Sequence, residues 1–321
     1  VNKRENAPIM EVLQHPLLNL SIMIYPKPLK KGDKIAICSP AGKIKPEIVN
    51  DAAHVLRNQG YRVEIMPHVF GENGQYSGTP DERYADLKAA FADPEVRLIL
   101  CSRGGYGVVH ILDRLNELPL ADDPKWVAGF SDISALHALM AKKGIASIHS
   151  LMCAGIKRGA DDPDIAAFFD ILSGQRPVHI FDSHEYDRPG LATGTLYGGN
   201  VAVLAELINT PYDILKPDTI LFIEDVAEPI YKIERILYQL KLSGVLAKIR
   251  GLVVGQFTEY KPDANYDDME SMVRDMTAEY SYPVAFNAPI GHVDHNVPLI
   301  ESAKVTLKVN PEGRNSIIFH R

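Results

Sequence analysis

From residue 34 to residue 151 the chain repeats one unit, a short apolar run followed by a segment whose apolar positions recur every three to four residues. The runs fall at 34–38, 61–66, 97–101, 125–130 and 146–149, and helix-period segments fill 46–59, 80–92, 108–115 and 133–143. A strand that returns through a helical crossover lies parallel to the one before it, and a parallel sheet needs both faces covered. The repeat therefore predicts an α/β domain with helices packed on a central parallel sheet. Thr79-Pro80-Asp81-Glu82 has the form of a helix start, with a capping hydroxyl, proline at the first position and acids on the positive end of the helix dipole.

A chain of 321 residues exceeds one core of ordinary size and predicts two domains. A helix pattern at 163–172 precedes a stretch rich in Pro, Gly, Asp and Arg. We read 174–190 as the connection, 23–173 as the first domain and 191–321 as the second. The second mixes strand patterns at 220–223, 251–256, 305–309 and 316–320 with helix patterns at 201–208, 230–242 and 267–280. Residues 1–22 lack a clear period and read as an extension outside the fold, with Met23 as the working start.

Charge and cysteine content narrow the function. With 34 Lys and Arg against 41 Asp and Glu, the net charge is −7, which predicts no general affinity for nucleic acid or an anionic membrane. No run approaches the roughly 18 apolar residues of a membrane span. Lys3 and Arg4 precede an apolar patch at 17–24, but Asn19 and Ser21 break it and no small-residue cleavage site follows, so no signal peptide is expected. Cys38, Cys101 and Cys153 cannot all pair and have no C-x-x-C spacing. A reducing, cytoplasmic location is expected.

In open α/β sheets, ligands bind at the C-terminal strand edge, where strand-to-helix turns lie. Two such turns here carry reactive or ligand-binding residue types. In Gly129-Phe130-Ser131-Asp132-Ile133 an apolar strand ends at glycine, a single serine follows, and a helix pattern begins. A serine so placed can be lifted clear of the sheet edge beside free backbone N–H groups. A serine opening a helix is also an ordinary N-cap, and Ile133 stands where G-x-S-x-G would have its second glycine. Ser102-Arg103-Gly104-Gly105-Tyr106-Gly107 can bring backbone N–H groups close to an anion, or can simply be a tight turn. It matches neither G-x-G-x-x-G nor a Walker A loop.

Two further patches come from the second domain. Glu224 and Asp225 end the apolar run at 220–223; either the helix dipole accounts for them or one of them orients a base. Gly291-His292-Val293-Asp294-His295 offers a loop imidazole suited to general-base work, a backbone-bonded loop histidine, or a metal-ligand pair. No H-E-x-x-H pattern or cysteine partner supports the metal reading. Together the patches supply serine, acid and histidine in that order, one of the arrangements found in serine-hydrolase triads.

These residues resemble those of the LD-carboxypeptidases, the muramoyltetrapeptide carboxypeptidase family of serine peptidases. The likeness runs from about Tyr25 to the C-terminus. It rests on Lys31-Gly32-Asp33-Lys34-Ile35-Ala36, Ser39-Pro40-Ala41-Gly42, Arg103-Gly104-Gly105-Tyr106-Gly107 and Gly129-Phe130-Ser131-Asp132-Ile133-Ser134-Ala135-Leu136. It continues through Gly198-Gly199-Asn200, Ile223-Glu224-Asp225-Val226 with Glu228 and Tyr231, Gly255-Gln256-Phe257 and Gly291-His292. The resemblance implies a flavodoxin-like N-terminal domain carrying the nucleophile Ser131. It also implies a smaller mixed α/β C-terminal domain supplying Glu224 as acid and His292 as base, with the site between the two.

It implies an oxyanion hole from the N–H of Asp132 and of Gly104 or Gly105, the latter preferred. It implies no cofactor and no metal, a homodimer, and release of D-Ala from muropeptide tetrapeptides in peptidoglycan recycling. Arg103, beside the Gly turn, is either a receptor for the substrate carboxylate or the partner of a local acid. The rival readings are a same-fold self-immunity peptidase acting on peptide–nucleotide antibiotics, a metal-dependent hydrolase using His292, Asp294 and His295, and a non-catalytic binding module. The first would need an aromatic platform for the base, and the only tryptophan is Trp126.

Overall fold

The computed structural model describes residues 23–310 and 312–320; the expectations placed on 1–22 lie outside them. In chain order the elements are β1 (Lys34–Cys38), α1 (Pro46–Asn58), β2 (Arg62–Ile65), α2 (Pro80–Ala92), β3 (Val96–Cys101), α3 (Leu112–Asn116), β4 (Trp126–Gly129), α4 (Ser134–Lys142), β5 (Ser147–His149), α5 (Cys153–Ile156) and α6 (Pro163–Leu172). Then follow β6 (Val178–Asp182), β7 (Gly190–Asn200), α7 (Val201–Leu207), β8 (Thr219–Val226), α8 (Ile230–Leu242), β9 (Gly251–Thr258), α9 (Met269–Thr277), β10 (Val284–Ala285), β11 (Leu299–Glu301), β12 (Lys304–Val309) and β13 (Arg314–Phe319). No helix among the described residues is long and apolar enough to cross a membrane.

The first sheet runs β11-β5-β4-β3-β1-β2. Strands β1 to β5 are parallel in the flavodoxin-like order 2-1-3-4-5, and β11 adds antiparallel to β5. Every residue of β4, and all of β1 after Lys34, is buried, which is why these strands read as unbroken apolar runs rather than alternating ones. Helix α2 starts as its sequence dictates: Thr79 Oγ1 accepts the Glu82 N–H (3.2 Å) and the Glu82 carboxylate accepts the Thr79 N–H (2.7 Å).

The second sheet runs β10-β9-β8-β7-β12-β13-β6. Its four strands β7 to β10 are parallel, and β12, β13 and β6 continue antiparallel. The fold is thus mixed α/β with a sheet in each half.

The chain crosses between the sheets more than once. Val178–Asp182, inside the stretch read as a connection, pairs with β13 as β6. Late in the chain, β11 returns to the first sheet, with Leu299 opposite His149. Residues 291–296 are therefore strung between the two sheets.

Two expected helices begin differently from their patterns. Residues 108–115 form a 3-10 turn at Val108–His110 before α3, and 133–143 is preceded by a 3-10 turn at Ser131–Ile133. In both, bonds from elsewhere in the fold set the entry. The Asp132 carboxylate accepts the Val108 N–H (2.9 Å), and buried Arg83 donates to the carbonyls of Pro40 and Gly107 (2.7 Å each).

Candidate active site

Ser131 stands just beyond β4 with φ of +66°, a left-handed conformation costly for a residue with a Cβ. Strain of this kind, on the order of 1–3 kcal/mol, persists where surrounding structure imposes it. The Gly-rich loop after β3 packs directly against Ser131. A Cβ on Gly104 would lie 2.6 Å from the Ser131 Cβ and 2.7 Å from its Oγ, so only glycine fits against the serine. Ser131 is not a cap: neither the 3-10 turn nor α4 uses a side chain to cap its start.

The Gly104 carbonyl accepts the Gly42 N–H (3.0 Å). Across a trans peptide the next N–H points the opposite way, so the Gly105 N–H is turned from Gly42 on the side where Gly105 lines the cleft. Asp132 offers its N–H at the start of the 3-10 turn, while its buried carboxylate holds Val108. Burial pushes that carboxyl up to about 6, partly offset by the Val108 N–H and Arg83. Asp132 and Arg83 therefore brace the serine turn and the Gly-rich loop against each other. Arg83 was legible only as a charge on the apolar stripe of α2, spaced with Leu87 and Ala90.

Glu224 and Asp225 divide the two readings of the acidic pair. The β8–β9 register shifts between Ile223 and Asp225, and such a bulge re-aims successive side chains. Asp225 serves the start of α7, accepting from Asn200 Nδ2 (2.9 Å) and the Ala202 N–H (3.0 Å). Burial, partly offset by these donors, raises its carboxyl to about 6.

Glu224, fully buried, bonds through Oε2 to His292 Nδ1 at 2.8 Å. Gly291 lets them meet, since a Cβ there would sit 2.9 Å from the Glu224 Cβ. Burial lowers the His292 pKa, but the hydrogen bond and charge of Glu224 outweigh it, and the net shift is upward. The Phe130 ring packs 4.8 Å from the imidazole.

Ser131 and His292 line one cleft of about 670 Å3 with Gly104, Gly105, Arg103 and Arg158. No direct hydrogen bond joins their side chains; in unliganded sites such bonds are often long and tighten on binding. Arg103 donates to the Lys43 carbonyl (2.9 Å) and pairs with no carboxylate among the described residues, which leaves its charge uncompensated at the cleft rim. Arg158, which the sequence did not single out, is tied to Asp162 (3.0 Å).

His292, Asp294 and His295 do not converge. His292 turns to Glu224, His295 bonds Asp164 (2.8 Å), and the Asp294 carbonyl accepts from Arg158. Trp126 is buried in β4, its Nε1 donating to the Lys27 carbonyl (3.2 Å), and offers the cleft no aromatic surface.

A flavodoxin-like sheet joined to a mixed one, with a strained serine at one edge and a carboxylate–histidine pair at the other, has the architecture of a two-domain α/β hydrolytic enzyme. The family model for the LD-carboxypeptidase N-terminal domain matches residues 35–150, and that for the LD-carboxypeptidase C-terminal domain matches 193–307. The chain belongs to the LD-carboxypeptidase family.

Among curated relatives, a murein tetrapeptide carboxypeptidase of Pseudomonas aeruginosa is 27% identical, over 82% of this chain and 89% of its own. The solved muramoyltetrapeptide carboxypeptidase of Oxalobacter formigenes superposes with a TM-score of 0.81 at 28% identity, covering 90% of this chain and 99% of that one. The microcin C7 self immunity protein MccF, solved with aspartyl sulfamoyl adenosine, superposes with a TM-score of 0.80 over 92% of this chain and 98% of its own. Its identity of 18% makes it a likeness of fold alone.

Proposed function

We propose that the protein is a serine-type LD-carboxypeptidase that releases D-Ala from the tetrapeptide stem of muropeptides. The reading is carried by the Glu224–His292 pair (2.8 Å), which shares one cleft with a serine held in a strained left-handed turn. His292 Nε2 takes the proton of Ser131 Oγ, which attacks the carbonyl of the L,D-peptide bond. The N–H groups of Asp132 and Gly105 hold the oxyanion. Collapse breaks the C–N bond, His292 returns the proton to the departing D-Ala amine, and the acyl group remains on Ser131. Water, deprotonated by His292, then hydrolyses the ester and restores the serine. Glu224 fixes the tautomer, with Nδ1–H toward its carboxylate, and stabilises the imidazolium.

Arg103 is the proposed receptor for the substrate carboxylate, because its charge faces the cleft without an acid partner. The test is release of D-Ala from L-Ala-γ-D-Glu-meso-diaminopimelate-D-Ala, followed by mass spectrometry. Arg103→Gln is expected to raise KM about tenfold with a smaller change in kcat. Intact tetrapeptide beside a cleaved aspartyl–nucleotide conjugate would instead favour the self-immunity activity. That rival is weakened by the burial of Trp126 away from the cleft.

The same reading places the enzyme in the cytoplasm, acting on recycled muropeptides. Strand β6 is an open edge with Val178 and Ile180 exposed, and Leu191 of β7 is also exposed. We assign a homodimer contact to this edge. Sedimentation of wild type beside Ile180→Lys checks it; a monomeric wild type rejects it.

A further inference from the structure

We infer that Asp164 is a positioning residue for His292, pinning the loop that carries the histidine to α6 in the first half of the molecule, where Phe169 stacks on Tyr61 beside β2. The inference rests on His292 being the base proposed above. Residues 291–296 leave the second sheet at Gly291, and the carbonyl of the preceding Ile290 accepts the Gln256 N–H (2.8 Å). The loop closes on itself through Asn296 Oδ1, which accepts the Gly291 N–H (3.0 Å). Beyond that closure its anchor lies in the other half of the molecule. Asp164 Oδ2 accepts the Asn296 N–H (3.0 Å) and Oδ1 bonds His295 Nδ1 (2.8 Å). Arg158 adds a longer contact to Asp164 (3.5 Å) and donates to the Asp294 carbonyl.

The helix carrying Asp164 does not need this carboxylate. Asp162 already caps α6, accepting the N–H groups of Asp164 (3.0 Å) and Ile165 (3.4 Å). Yet Asp164 is 3% exposed, and a carboxylate is buried at a cost unless donors compensate it. Its donors come mainly from the histidine loop.

Asn296 is also buried, and its Nδ2 has no hydrogen-bond partner among the described residues. His149 lies beside it, kept neutral because burial lowers its pKa to about 3. The loop is thus held to the second sheet by Ile290, to itself by Asn296, to α6 by Asp164, and to Arg158 through the Asp294 carbonyl. Ser131 belongs to the first sheet and Glu224 to the second. Together with the pairing of β11 on β5, the α6 anchor fixes His292 relative to the serine, while its place beside Glu224 is set where the loop leaves the second sheet.

This division gives a signature that a general loss of stability would not. In Asp164→Ala, kcat is expected to fall about 10–100-fold, because a shift of about an ångström in a reacting group costs that much, with KM within about threefold. The acid limb of the pH–rate profile should stay where it is, since the second-sheet end of the loop keeps His292 beside Glu224. Asp164→Asn retains an acceptor oxygen and should recover most of the loss.

A kcat within twofold of wild type in Asp164→Ala overturns the proposal, as does a shifted acid limb. Amide exchange at Asn296 reads the pin without substrate and should accelerate about tenfold in Asp164→Ala and less in Asp164→Asn. Unchanged exchange in Asp164→Ala overturns the pin even if the tetrapeptide is cleaved. Slow wild-type exchange that accelerates in the variants, with no D-Ala released, supports the pin and fails only the functional reading.

Discussion

Ser131→Ala is expected to lower kcat on the tetrapeptide by about 10⁴–10⁶-fold with little change in binding, because nucleophile, base and acid act as one unit. The hydroxyl forms the acyl-enzyme, and the other serine lining the cleft, Ser102, is buried and hydrogen-bonded to Ser39 (2.6 Å). Backbone strain supplies a second readout from the same position. Alanine inherits the φ of +66°, whereas glycine adopts it freely. Ser131→Gly should therefore be equally inactive yet more stable than Ser131→Ala by about 1 kcal/mol in denaturant unfolding. Turnover by Ser131→Ala within tenfold of wild type would sink the nucleophile assignment. Equal stability of the two variants would mean that the turn stores no strain.

The nucleophile, acid and base named from sequence share one property: each sits near or just past the end of an apolar run. Ser131 follows β4, Glu224 lies near the C-terminal end of β8, and His292 follows the short run after β10. A strand end is legible because hydrophobic period and glycine punctuate it. The parallel order of the first sheet is legible for the same reason, since strand–helix alternation constrains connections. What pairs with what is not.

Strand β7 holds four glycines and no apolar alternation, so it reads as loop; β8 and β12 on either side make it a strand. Strand β6 hides in a polar stretch because one of its faces is open to solvent. Arg83, Asp164 and Asn296 belong to the site's frame through partners far along the chain, 132 residues away in the case of Asp164 and Asn296. No local pattern encodes such a partner. The division of labour between Glu224 and Asp225 was equally hidden, because it depends on a bulge in the β8–β9 register rather than on either side chain.

Glu224→Gln should separate charge from geometry. Glutamine can still present an oxygen to the His292 Nδ1–H, so the tautomer survives while the negative charge is lost. The imidazolium formed during attack then lacks its counter-charge in a buried setting, and kcat should fall by about 10²–10⁴-fold. The pH profile supplies the sign. His292 must be neutral to accept the serine proton, and its pKa lies above the ordinary value, so wild-type kcat/KM falls as pH drops through a midpoint above about 6.5. Without the Glu224 charge, burial is left as the dominant influence and lowers the pKa. The acid limb of Glu224→Gln should therefore move to lower pH even as the plateau collapses.

Stability follows the same linkage. A histidine whose pKa is raised on folding contributes stability that is present in full below its unfolded pKa and is lost as pH rises through the folded one. The stability gap between wild type and Glu224→Gln should accordingly narrow as pH rises across that window. An acid limb that stays in place, or a gap that widens with pH, would show that Glu224 holds the ring by shape alone. The charge on Glu224 would then have no part in tuning the base.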